Sequence, residues 1–108
     1  MRIAIPVLKG RLATDFKDFE QVILLDTEKQ KITEKKHLTC PIVQPWMLPL
    51  WFREHNVDLL IAGNMSEETI GLFQKAGIKV ITGAPPLSPE KVTEKYLSGH
   101  LIMEGGGP

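Results

Sequence analysis

A single cysteine, Cys40, stands in the 108-residue chain, so no disulfide can form within it and no cross-linked framework holds the fold. Long apolar runs are missing too. No stretch approaches the roughly 18 apolar residues needed to cross a bilayer. The opening Met1-Arg2-Ile3-Ala4-Ile5-Pro6 lacks the apolar core and small-residue cleavage site of a secretory signal. Both absences make the cytoplasm the expected compartment and argue against a membrane partner. Charge of one sign is not in excess either: Lys and Arg number 13, Asp and Glu also 13, and the two signs are interspersed. That removes the global electrostatic reason to expect a nucleic-acid partner. Neither G-x-x-x-x-G-K nor G-x-G-x-x-G occurs, so no phosphate-cradling loop is signalled. With no second cysteine and no serine–histidine pairing in the pattern, nucleophilic catalysis has no support.

Against these absences, 43% of the residues are apolar and 24% charged, enough to bury one core without staples. Residues 1–103 read as one domain, and the tail Glu104-Gly105-Gly106-Gly107-Pro108 reads as flexible. Strands are expected at 3–8, 22–26 and 31–37, with 10–21 a polar loop and 27–30 a turn. A helix follows at 46–55, with Pro49 in its first turn where a missing amide proton costs little. The apolar run 57–62 is a buried strand closed by Gly63. Ser66 caps a helix that stops at Gly77. Residues 78–81 form the last strand, and Ser88-Pro89-Glu90 opens a final helix ending at Ser98-Gly99. The order βββαβαβα, with five strands, implies an α/β three-layer mixed sheet: antiparallel hairpins in front, right-handed parallel crossovers behind.

This topology places the segments 9–15, 37–41, 63–66 and 82–89 at one edge of the sheet, where helix N-termini offer free amides. Of the three histidines only His37 falls there; His55 and His100 follow helices that run away from it. His37-x-x-Cys40 is a spacing suited to a soft metal, and equally to a surface histidine beside a half-buried thiol packed as a small hydrophobe. Gly63-Asn64-Met65-Ser66 offers amides for an anion, and equally makes an ordinary capped turn. Asp15, Asp18 and Glu20 are either paired acids or solvated loop carboxylates. Trp46, Met47, Leu48 and Trp51 either pack in the core or form an aromatic face, spanning residues 46–51, for a protein partner.

The segments Arg2-Ile3-Ala4-Ile5-Pro6-Val7, Leu24-Leu25-Asp26, Val57-Asp58-Leu59-Leu60-Ile61-Ala62-Gly63 and Ala76-Gly77-Ile78-Lys79-Val80-Ile81-Thr82-Gly83-Ala84, with Tyr96-Leu97-Ser98-Gly99 closing, resemble the dinitrogenase iron–molybdenum cofactor biosynthesis family. That family includes NifX- and NafY-type carriers and the C-terminal domain of NifB. The similarity spans residues 2–101. It implies a ribonuclease-H-like fold and binding, without turnover, of iron–sulfur or molybdenum–iron–sulfur clusters in transit. Where the family commonly carries His-Phe-Gly, this chain has Asp15-Phe16-Lys17, an acid in place of the candidate histidine.

Two functions follow as expectations, neither of them enzymatic. The first is a small carrier of an iron–sulfur or molybdenum-containing metal–sulfur cluster or its precursor. Cys40 and His37 would be its metal ligands, with Asp15, Gly63 and Asn64 around the cargo. The alternative is an interaction or regulatory module of the same fold that has lost cluster binding. Nuclease chemistry, suggested by the fold alone, needs acidic residues on the central strands to hold two metal ions; residues 3–8 contain none.

Overall fold

The computed structural model describes residues 1–41 and 44–101. Its elements are β1 (Arg2–Leu8), β2 (Arg11–Leu12), a 3-10 turn (Phe16–Asp18), β3 (Gln21–Glu28), β4 (Lys31–Thr39), a second 3-10 turn (Pro45–Met47), α1 (Leu48–Glu54), β5 (Leu59–Ile61), α2 (Glu67–Lys75), β6 (Lys79–Ile81) and α3 (Pro89–Ser98). The tail 104–108 and the domain limit at 103 lie outside the described residues. No helix among the described residues is long and apolar enough to cross a membrane.

One mixed sheet runs β4-β3-β1-β5-β6, with β2 pairing β1. β1 takes the centre because Ile3, Ala4, Ile5 and Val7 are apolar on both of its faces, and all are buried. Its parallel pairing to β5 ends at Ala4. Pro6 lies beyond that point, so its missing N–H costs no rung on that side, and its carbonyl accepts from Ala13 instead. The two faces divide by parity. Ala4, Val22, Leu24 and Leu60 meet α1 and α2 in one core; Ile3, Ile5, Ile23, Leu25 and Val92 of α3 make the other. The expected helix–sheet–helix layering and strand directions are thus present.

Among the described residues six strands are seen where five were expected. Lys9 (φ 53°) and Gly10 (φ 81°) are both left-handed, which suits a two-residue hairpin turn. Arg11–Leu12 folds back through it onto Val7 and Leu8. Residues 10–21 are therefore not one loop: Leu12 and Ala13 are buried, and Phe16 begins a 3-10 turn. A sequence window centred on polar residues hides three buried side chains, Leu12, Ala13 and Phe16. The helix expected at 46–55 is likewise a 3-10 turn followed by a shorter α1, with Pro49 at its start. Along the edge strand β4 only Ile32 and Leu38 enter the cores, and a register shift between Asp26 and Thr27 sends them to opposite faces.

Three loops are locked together behind β1 and β5. Asn64 N donates to Thr14 O at 2.8 Å, Phe16 N to Asn64 O at 2.9 Å, and Gly83 N to Gly63 O at 3.0 Å. Phe16 anchors this junction from beneath, edge-on to Phe73 (5.7 Å between ring centres) and beside Phe52 (6.4 Å). Gly63 is required here: a Cβ on it would lie 2.2 Å from Thr14 O and 2.5 Å from Ala13 O, both backbone atoms that cannot swing away. At the other end of the sheet Arg2 grips Asp26 through Nε (2.7 Å) and Nη2 (3.1 Å), and donates from Nη1 to His55 O.

Two stability measurements check these points. Gly63→Ala should lose about 2–4 kcal/mol in denaturant unfolding. Gly71→Ala, a helical site where a Cβ meets nothing within 4 Å, should instead gain about 0.5–1 kcal/mol. Equal effects would refute the close approach. The hydrogen bond from Arg2, aided by its charge and opposed by burial, holds the Asp26 carboxyl below the ordinary carboxylate range. The folded chain thus releases this proton more readily than the unfolded one. Its contribution is full above the ordinary carboxylate value and is lost as pH falls through the lowered one. Wild type should exceed Asp26→Asn by about 1 kcal/mol at pH 7, with the gap closing as pH falls below the ordinary carboxylate range and through the lowered one; a gap that ignores pH would mean the charge contributes nothing.

Candidate functional site

The edge expected to carry a site is assembled in two halves. In the first, the locked loops border a cleft of about 320 Å³ lined by Asp15, Phe16, Lys17, Asn64, Met65, Ser66 and Thr69. Asp15 caps the 3-10 turn, its carboxylate accepting from Lys17 N at 3.2 Å, with Lys17 Nζ 3.8 Å away. Ser66 caps α2, accepting from Thr69 N at 3.2 Å and sharing a 2.8 Å hydroxyl contact with Thr69 Oγ1. Glu67 and Glu68 follow in the first turn. An anion in the cleft would therefore meet the α2 amides and Lys17 as attraction, and Asp15 with two glutamates as repulsion. Gly63 is buried below as the hinge of the close approach; Asn64 is exposed on the rim.

The second half is polar. Val7, Lys9, Gly10, Glu20, Gln21 and Thr39 border a depression of about 350 Å³, and Lys9 N donates to Glu20 Oε1 at 3.3 Å. Here β4 ends, one residue before Cys40. Asp15, Gly63 and Asn64 are thus brought together, as the topology requires, while Cys40 and His37 stand along the edge from them.

His37 and Cys40 do not face each other. His37 pairs with Ile23, a residue of the α3-side core, whereas its neighbour Leu38 pairs with Val22 of the opposite core. Cys40, half-buried, packs against that opposite core, as do Phe19, Leu38 and Met65. The three-residue spacing suggested a pair; pleat parity separates it. His37 is exposed on the α3 side. There Lys35 Nζ lies 2.8 Å from Glu90 Oε1 and, by that hydrogen bond, holds the Glu90 carboxyl below its ordinary value; the charge of His37 contributes weakly. Among the described residues, no three of His, Cys, Asp and Glu converge as a metal site.

The other histidines are away from this edge, His55 edge-on to Trp51 with 4.7 Å between ring centres and His100 beyond α3. Trp51 is core, 8% exposed and edge-on to Phe52. The aromatic face proposed for 46–51 therefore narrows to Trp46, Met47 and Leu50. Sequence reading passed over Lys17 and Thr69 as cleft residues. The one signal available for Thr69 was its place three residues after the Ser66 cap, and Lys17 carried none. β1 bears no acidic residue, and Asp26 on β3 is committed to Arg2.

Comparison with known proteins places this geometry. The crystal structure of PH0822 superposes with a TM-score of 0.90 at 20% identity, over 98% of this chain and 96% of that one. The apo form of the orange protein from Desulfovibrio gigas gives 0.77 at 17% identity, over 97% and 93%. A protein of Methanocaldococcus jannaschii gives 0.75 at 18% identity, over 99% and 97%. At these identities the likeness establishes a common fold. No curated protein matches the chain by sequence. The model of the family described as "Dinitrogenase iron-molybdenum cofactor" matches residues 1–99. Nearly the whole described fold falls within that match, and the chain belongs to this family.

Proposed function

We propose that the protein is a small carrier that holds a metal–sulfur cluster, or a thiometallate precursor of one, during cofactor assembly or storage. The carrying observation is the cleft of Asp15, Asn64, Met65 and Ser66 at the C-terminal edge of the parallel strands, in a chain of this family. Likeness to the orange protein is consistent with it. On this reading the fold is the ribonuclease-H-like one of the family, and the role is binding without catalysis.

The donor set favours a cargo that brings its own sulfide. A bare soft cation needs several protein ligands and an ordinary iron–sulfur cluster four thiolates, whereas a thiometallate arrives with its metal already ringed by sulfide and needs fewest. Cys40 is the thiolate candidate, and it lies on the same face as the Met65 thioether. Asp15 and Asn64 would line the cargo, and Gly63 would let the loops close beneath it. His37 would reach it only from the other side of the sheet edge, so its share is the smaller. Iron–sulfur and molybdenum–iron–sulfur species both suit such soft donors.

The alternative, an interaction module without cargo, is favoured by one observation: Trp46 and Leu50 lie exposed. Anaerobic titration of the purified apo-protein with iron and sulfide, and separately with tetrathiomolybdate, divides the two readings. The carrier should develop a saturable charge-transfer band in the visible, lost in Cys40→Ala and little changed in His37→Ala. A folded protein that gives no band with either reagent would sink the carrier reading.

A further inference from the structure

Among the described residues that line the cleft, Lys17 alone is cationic and Asp15 alone is acidic. The two are held very differently. Asp15 is fixed as the cap of the 3-10 turn, its Oδ1 accepting from Lys17 N at 3.2 Å. Lys17 is loose: its side chain is 78% exposed, and Nζ meets Asp15 Oδ2 only at 3.8 Å. An ammonium carries three protons to donate, on a four-carbon stem that lets it move. Lys17 therefore keeps donors in reserve, while both Asp15 oxygens already face one. The start of α2 repeats this imbalance. Ser66 Oγ accepts from Thr69 N and shares a 2.8 Å hydroxyl bond with Thr69 Oγ1. Whichever hydroxyl donates to the other, one O–H proton of the pair is left over. The unused hydrogen-bonding capacity of these side chains is on the donor side, which suits an anion.

We infer that Lys17 selects the charge of the cargo: its ammonium leaves Asp15 and pairs with the outer sulfides of an anionic thiometallate. The inference rests on the carrier reading and adds to it a specificity-determining residue that is not a metal ligand. Charge-assisted hydrogen bonds of this kind are the stronger ones. Without Lys17 the side-chain charges about the cleft are Asp15 and, in the first turn of α2, Glu67 and Glu68, all of which repel an anion. One residue thus decides the sign of the cargo that the cleft favours. Through water, a positive charge about 6 Å from a dianion changes affinity about tenfold. Salt removes that advantage, because the screening length falls from roughly 30 Å at 0.01 M to roughly 3 Å at 1 M.

Anaerobic titration of the full chain with tetrathiomolybdate, at about 10 mM and about 1 M salt, tests it. In dilute salt Lys17→Gln should bind about tenfold more weakly than wild type, and Lys17→Glu more weakly still. Lys17→Arg keeps the charge and should match wild type. In 1 M salt the four proteins should converge. Lys17 is exposed, so circular dichroism and the unfolding midpoint should be unchanged in each variant. Wild type that binds nothing at either salt concentration would sink the carrier reading, and this inference with it. Wild type that binds, with Lys17→Gln equal to it in dilute salt or weaker by the same factor at both concentrations, would overturn the inference alone.

Discussion

Everything at the candidate site depends on how closely one backbone may approach another. Gly63, two residues past β5, stands where any Cβ would run into the carbonyls of Ala13 and Thr14. Only a residue without a side chain lets the hydrogen bonds between 14–16 and 64 form at normal length. Those bonds set Asp15 and Asn64 side by side, as bridge partners, along a single cleft. Phe16 completes the arrangement from below, because the loop that displays Asp15 also sends a ring into the cluster of Phe52 and Phe73. Rim and core are consecutive residues. The cleft is consequently a feature of the packed fold and shares its stability.

The two cores explain why the remaining candidate residues are distributed as they are. A sheet buried on both faces assigns each residue of a strand to one layer or the other with no intermediate choice. His37 and Leu38 are thereby sent apart, and Cys40 joins the layer of Leu38 and Met65. Cys40 and Met65 lie on the α1–α2 side, while the α3 side holds Lys35, Glu90 and His37. At the far end Arg2 joins the start of β1 to β3 and, through His55 O, to the end of α1.

Much of this was legible in the sequence because most segments obey a single rule. The apolar runs 3–8 and 57–62, the caps Ser66 and Ser88, and Gly77 and Gly99 each mark their element without help from the rest of the chain. The loops meeting at the edge followed from strand order. What was missed depends on contacts distant in sequence. Arg11–Leu12 is too short to show a period, and only the left-handed pair Lys9-Gly10 makes it a strand. Trp51 was grouped with Trp46 because they are near in sequence, although five positions along this segment carry them to different sides. His37 and Cys40 looked like a pair for the same reason. A three-residue spacing read without pleat parity cannot tell neighbours from opposites.

The irregularity in β4 has a structural effect of its own. Ile32 and Leu38 are an even number of residues apart, and in a regular strand both would point into the same layer. The shift between Asp26 and Thr27 rotates one of them, so the outermost strand puts one apolar anchor into each layer. A strand fastened through both faces resists peeling in either direction. The remaining positions are then free to carry Lys31, Lys35, Lys36 and Glu34 in water, where their charges discourage any foreign strand from adding to the sheet.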